Sequence, residues 1–213
     1  MTQLPLPIDW RSSGRRGSEG QDAVVIGEGN RDALALLERP AFWPSHCMLL
    51  IGPPRSGRST IAADIARRGL AEVIDDADQE EETALFHRWN SARENSRSLL
   101  LVANEAPPTW AIALPDLRSR LSAAGIARIG PPDEAMIEAM IAQGLGQAGT
   151  AFGADVPRYL APRLARCYQQ VEAAVTALVT ESLSSGRRIS LQRAKDVLAE
   201  AVLEGNHLLS SED

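Results

Sequence analysis

The chain has 213 residues, a formal net charge of −6, 44% hydrophobic and 23% charged residues, enough for one good core and a small appended domain. An acidic balance argues against DNA or RNA as the main partner, because nucleic-acid phosphates call for a basic face. No apolar run approaches the roughly 18 residues of a membrane span, no basic-then-apolar leader opens the chain, and Cys47 and Cys167 stand in no metal or disulfide-framework spacing. The expected setting is therefore the reducing cytoplasm.

In chain order, residues 1–10 alternate Leu4, Leu6, Ile8 and Trp10 with Pro5, Pro7 and Asp9, which suits either a disordered stretch or an extended peptide that docks in another protein's groove. Residues 11–22 contain no large apolar side chain and read as a flexible linker. From 23 to 130 strands alternate with helices. Val24, Val25 and Ile26 form a short apolar run ending at Gly27, and 30–39 sets Ala33, Leu34, Leu36 and Leu37 on a helical repeat. Residues 48–51 are a buried strand, and 59–68 the helix after it. Residues 72–76 predict a strand ending in acids. An amphipathic helix follows over 80–94, with Leu85, Phe86 and Trp89 on one stripe and Glu80, Glu81 and Glu82 as a solvated first turn. A strand over 98–103 closes at Asn104; a short helix at 114–123 and a strand at 126–129 complete an α/β domain with a parallel sheet.

Residues 131–204 read as a second, all-helical domain. Pro132, Asp133 and Glu134 open its first helix with acids in the first turn. Three further helices are predicted near 155–164, 168–184 and 190–203, with Asp155 and Ser190 as N-caps. Gly144-Leu145-Gly146 is read as a helix C-cap, and 205–213 as a frayed tail.

The chemistry concentrates between the 48–51 strand and the helix after it. Gly52, Pro53, Pro54, Arg55, Ser56, Gly57, Arg58, Ser59 and Thr60 follow the pattern G-x-x-x-x-G-K-[ST] at every defined position but one. Glycines around such a turn let backbone N–H groups wrap a phosphate, and the hydroxyl residue Ser59 sits where Mg²⁺ is ligated. Arg58 replaces the lysine that reaches the outer phosphates; it keeps the charge, but its planar fork is not interchangeable with a compact ammonium. Of the 22 basic residues only Lys195 is lysine, so a general arginine bias also accounts for the exchange. His46, His87 and His207 are dispersed and receive no chemistry.

Taken in order, the phosphate loop, Val73-Ile74-Asp75-Asp76, the strand ending in Asn104, Asp116-Leu117-Arg118-Ser119-Arg120-Leu121, and Pro131-Pro132-Asp133 before a helical lid resemble the AAA+ ATPases and, within them, the DnaA-related group. DnaA proteins continue into a DNA-binding helix-turn-helix domain, before which this chain is expected to stop. With Gln3, Leu4, Pro5, Leu6 and Pro7 at its front, it resembles the Hda family of regulatory inactivators of DnaA, in which a Q-L-x-L-P peptide docks on the β subunit of the replicative sliding clamp. The resemblance implies Asp75 at Mg²⁺ through water, Asp76 near an attacking water, and Asn104 as a sensor of the γ-phosphate. It makes Arg120 an arginine finger acting on a nucleotide in a neighbouring subunit. It further implies ADP or ATP as cofactor, DnaA as partner, and self-association or a mixed complex. The residues alone also admit Asp75 and Asp76 as caps of a loop, Asn104 as a turn residue, and Arg118 and Arg120 as a solvated helix face.

Three departures fall on nucleotide handling in cis. They are Arg58, a spacing of only 13 residues between Thr60 and Ile74 where an AAA+ core inserts another edge strand and helix, and Gln169 where the lid's sensor arginine is expected, with Arg166 one turn earlier. Arg120 and Gln3, which act on partners, are intact. The leading reading is thus a clamp-tethered regulator that binds nucleotide, ADP foremost, and stimulates hydrolysis by DnaA. A scaffold that binds clamp and DnaA without nucleotide, and a self-sufficient AAA+ ATPase, are the alternatives.

Overall fold

The structure is a computed structural model that describes residues 24–203. The peptide with Gln3, Leu4, Leu6 and Pro7, the linker over 11–22 and the tail over 205–213 lie outside the described residues. Two compact units are present, one built on Gly29–Gly130 and one on Pro131 onward, with Val25–Glu28 packed into the second. That short segment is held there by Asp133, whose Oδ2 accepts the Glu28 N–H at 2.6 Å.

In the first unit a four-stranded parallel sheet has the order β2 (Glu72–Ile74), β3 (Leu99–Ala103), β1 (Cys47–Ile51), β4 (Gly125–Arg128). Every residue of β1 and β3 is buried, which is why both read as continuous apolar runs rather than alternating ones: a central parallel strand is covered on both faces. Cys47, Leu49, Ile51, Leu99, Leu101 and Ala103 share a core with Leu85 and Trp89 of α3 (Glu82–Glu94) and Leu117 and Leu121 of α4 (Pro115–Ser122). α1 (Glu28–Leu37) and α2 (Arg58–Arg67) bury Leu34, Leu37, Ile61 and Ile65.

The short spacing after the phosphate loop has a direct structural expression. α2 ends at Arg67, Gly69 turns the chain at φ +67°, and β2 begins at Glu72, so no strand or helix intervenes. β2 itself is therefore the sheet edge. It is also shorter than the sequence predicts: Asp75 and Asp76 lie past its end, and Asp76 adopts φ +48° ahead of a 3-10 turn at Ala77–Gln79, which ends the pairing.

The second unit holds α5 (Glu134–Gln147), α6 (Asp155–Leu160), α7 (Tyr168–Ser185) and α8 (Leu191–Leu203) around Ile137, Ile141, Leu145, Val156, Leu160, Val171 and Leu178. Asp133 caps α5 by accepting the Met136 N–H at 2.9 Å, and Ser190 caps α8 through the Arg193 N–H at 3.2 Å. Two expectations fail here. Asp155 is the first residue of α6 rather than its cap, Ala154 occupying that position without a side-chain bond. Gly144 and Gly146 lie inside α5, and the left-handed residue beyond its end is Gly149 at φ +66°. Gly144 serves helix packing instead, since a Cβ there would stand 2.8 Å from Val175 Cγ1 of α7. No helix among the described residues is long and apolar enough to cross a membrane.

Candidate functional site

The phosphate loop runs from the end of β1 to the start of α2. Gly52 is required by space: a Cβ would lie 2.8 Å from Ile129 Cβ and 3.1 Å from the Ile129 carbonyl. Pro53 accepts the Ser56 N–H at 3.2 Å, closing a turn in which Arg55 at φ +63° and Gly57 at φ +84° take left-handed conformations. Gly57 is the N-cap residue of α2 and offers no side-chain cap, so the helix's first-turn N–H groups lack the usual partner. Ser56 is buried and its Oγ has no hydrogen-bond partner. An open helix N-terminus beside a buried orphan hydroxyl suits an anion, because backbone donors and the helix dipole both favour negative charge there. Those residues therefore fit a phosphate group.

Arg58 is engaged elsewhere. Its Nη2 donates to Asn104 Oδ1 at 2.9 Å and its Nη1 donates to the Ala103 carbonyl at the end of β3. Asn104 donates in turn from Nδ2 to Asp78 Oδ2 at 2.8 Å and from its backbone N–H to the same oxygen at 3.0 Å. The structure thus brings Arg58 and Asn104 together as the sequence expects of a shared site. It bonds them to one another and to Asp78, which the sequence did not single out.

Ser59, Thr60, Asp75 and Asp76 are exposed. Asp75 Oδ1 accepts the Asp76 N–H at 3.1 Å, the local capping bond that the loop reading of this pair admits. Among the described residues no group of three His, Cys, Asp or Glu side chains could hold a metal. What this chain would offer Mg²⁺ is one hydroxyl and one carboxylate, with water and phosphate oxygens to complete the shell.

On α4, Arg118 is exposed while Arg120 is partly buried. The Arg120 guanidinium sits 4.3 Å over the Phe86 ring and donates to Asn90 Oδ1. Glu82 completes the support: its carboxylate accepts the N–H groups of Ala113 at 2.9 Å and Leu114 at 2.6 Å, acting as a remote cap for α4, whose own cap residue Leu114 has no capping side chain. The acids at 80–82 are thus not simply solvated, since Glu81 also caps its own helix through Thr83 and Ala84. Glu82, Phe86 and Asn90 recur every fourth residue, one stripe of α3 that faces α4. That spacing is the signal that could have found them from sequence.

In the second unit Gln169 and Arg166 are exposed at the start of α7 and just before it, and Gln170 Oε1 is buried without a partner. Burial pushes the Asp133 carboxyl up, but the N–H groups of Met136, Glu28 and Ala135 outweigh it and hold the group below the ordinary aspartate range. Burial and the nearby Asp133 charge push the Tyr168 phenol up to about 12.

No family model matches the chain. Solved structures are similar to it. Domain III of the Thermotoga maritima replication initiation protein DnaA superposes with a TM-score of 0.67 at 16% identity over 83% of this chain and 93% of that one. AMPPCP-bound DnaA from Aquifex aeolicus gives 0.58 at 15% identity over 84% and 69%. The Thermotoga maritima RuvB Holliday junction branch migration motor gives 0.61 at 13% identity over 85% and 72%. At these identities the likeness establishes the fold: an α/β unit with a four-stranded parallel sheet and a helical second unit, similar to the fold of domain III of DnaA and of RuvB.

Proposed function

We propose that this chain is a regulator of replication initiation of the Hda type, which holds a nucleotide, ADP foremost, and offers Arg120 to ATP bound by DnaA. The observation that carries the reading is the phosphate loop. It keeps the cradle, in Gly52, the buried Ser56 hydroxyl and the open start of α2, yet Arg58, the cation at the motif's lysine position, is bonded to the end of β3 and to Asn104. A cradle whose lysine-position cation is engaged elsewhere suits retention of a nucleotide better than its turnover, and the chemistry then falls to a partner's site. The DnaA-like fold supports a partner of that same fold. Gln3, Leu4, Leu6 and Pro7 would tether the protein to the β clamp in the cytoplasm, linking hydrolysis to clamps already loaded on DNA.

Guanidinium suits the finger role because it spreads positive charge over the equatorial phosphoryl oxygens, an effect of roughly 10³–10⁵ in rate when supplied in trans. Within its own chain Arg120 rests on Phe86 and Asn90, so as a finger it would exchange its bond to Asn90 for the partner's phosphate.

The test is ATP hydrolysis by DnaA in the presence of clamp-loaded DNA and this protein. Arg120→Ala should abolish stimulation while the variant still comes down with the clamp. Stimulation equal to the parent's would remove the finger assignment. Because Arg58 is turned onto β3, the scaffold without nucleotide stays a second reading, and calorimetric titration with ADP, with and without Mg²⁺, separates the two. Turnover by this chain alone that falls on Asp75→Asn would instead favour the self-sufficient ATPase.

A further inference from the structure

When one amide lies between a guanidinium and a carboxylate, charge fixes it at both ends. Asn104 is held in this way: Oδ1 accepts from Arg58 at 2.9 Å and Nδ2 donates to Asp78 at 2.8 Å. The arrangement joins three pieces of backbone that are remote in sequence. Arg58 is in the first turn of α2, Asn104 directly follows β3, and Asp78 lies in the 3-10 turn after β2. A planar fork is needed at the α2 end, because Arg58 serves the Ala103 carbonyl and the Asn104 amide at once. A single ammonium does not present two donors in that fixed geometry. Withdrawing Arg58 toward a ligand would strip the part-buried Ala103 carbonyl of its donor, which is unfavourable, while the exposed Asn104 oxygen would turn to water.

We propose that Arg58 is a positioning residue and not a phosphate ligand. With Asn104 as bridge and Asp78 as counter-charge, it forms a strut that locks the ends of β2 and β3 to α2, and a phosphate in the loop is bound without it. The strut also uses both ends of the Asn104 amide. The first half of this proposal stands on the bonds alone; the second rests on the nucleotide-binding reading above.

The experiment is a double-mutant cycle on the full chain, read by thermal melting and by titration with ADP and a non-hydrolysable ATP analogue. Arg58→Met and Asp78→Asn should each lower the melting temperature by about 3 °C or more, and the double variant should melt close to the lower single. Arg58→Met should bind ADP within about threefold of the parent. Arg58→Lys, which keeps the charge without the fork, should melt low yet gain about tenfold for the ATP analogue relative to ADP, a change that loss of structure alone does not produce. Additive melting shifts, or no shift, would overturn the strut. A tenfold or greater loss of ADP affinity in Arg58→Met with a parent-like melt would overturn the claim that phosphate binds without Arg58. If the parent binds no ADP, the nucleotide reading fails, and the melting cycle still decides the strut. Should Arg58→Met not fold, Arg58→Lys and Asn104→Ala take its place in the cycle.

Discussion

Replacing Glu82 measures how far α4 depends on a residue from another helix. Its carboxylate accepts two N–H groups, that of Leu114 at 2.6 Å in a part-buried setting and that of Ala113 at 2.9 Å at the surface. A hydrogen bond to a charged acceptor contributes about 1.5–3 kcal/mol net, and an exposed donor recovers most of its loss by bonding to water. The Leu114 bond is therefore worth about 2 kcal/mol and the Ala113 bond no more than about 0.5 kcal/mol. Alanine returns about 0.3 kcal/mol of helix propensity, so Glu82→Ala should cost about 2 kcal/mol. Glu82→Gln keeps one neutral acceptor and should cost about 1 kcal/mol. Urea unfolding at neutral pH reads both, with Glu80→Ala as a control. Glu80 makes a surface ion pair with Arg88 at 3.6 Å, and its loss should stay within about 0.5 kcal/mol of the parent. The same variants belong in the DnaA hydrolysis assay, where a frayed α4 should reduce stimulation several-fold in Glu82→Ala and less in Glu82→Gln. If Glu82→Ala unfolds with the parent's free energy, the remote cap contributes nothing, and burial of Leu117 and Leu121 alone holds α4.

Asp133 gives a pH-dependent counterpart. Its folded-state pKa is depressed, so its contribution is complete above the ordinary aspartate value of about 3.9 and is lost as pH falls through that value and then through the folded one. Asp133→Asn, whose amide oxygen cannot serve both Met136 and Glu28, should cost about 1.5 kcal/mol at neutral pH. That gap should narrow as pH falls below the ordinary aspartate value of about 3.9, and urea midpoints on either side of it that show a constant gap would rule out the ionised carboxylate as its source. At Gly144 the expected alanine gain of about 1 kcal/mol in helix propensity should be reversed by contact with Val175, a β-branched residue with one preferred helical rotamer. Gly144→Ala should thus lower the denaturation midpoint in the parent and raise it in a Val175→Ala background; stabilisation of the parent would show that α5 and α7 give way freely.

The amino-acid sequence determined what depends on neighbours along the chain. Period and punctuation located β1, β3 and the helices, because burial on both faces makes a central strand apolar throughout. The glycine and hydroxyl spacing of 52–60 marked the phosphate loop, because the turn there admits almost nothing else at Gly52. The short path from Thr60 to Ile74 pointed to a missing edge strand, since β2 must follow α2 directly. Tertiary structure alone decided where side chains spend their bonds. Arg58 meets Asn104 across 46 residues and Asn104 meets Asp78 across 26, whereas Arg120 meets Asn90 across 30. No local pattern fixes the first two, because parallel strands bring their C-terminal ends to one edge of the sheet whatever the sequence distance between them; for the third, the i, i+4 spacing of α3 marks the stripe but not its partner on α4. The same holds for Gly144, whose meaning changed from helix end to helix contact once α7 lay against α5. Which residues form the loop is thus a property of the chain, and what its arginine touches is a property of the fold.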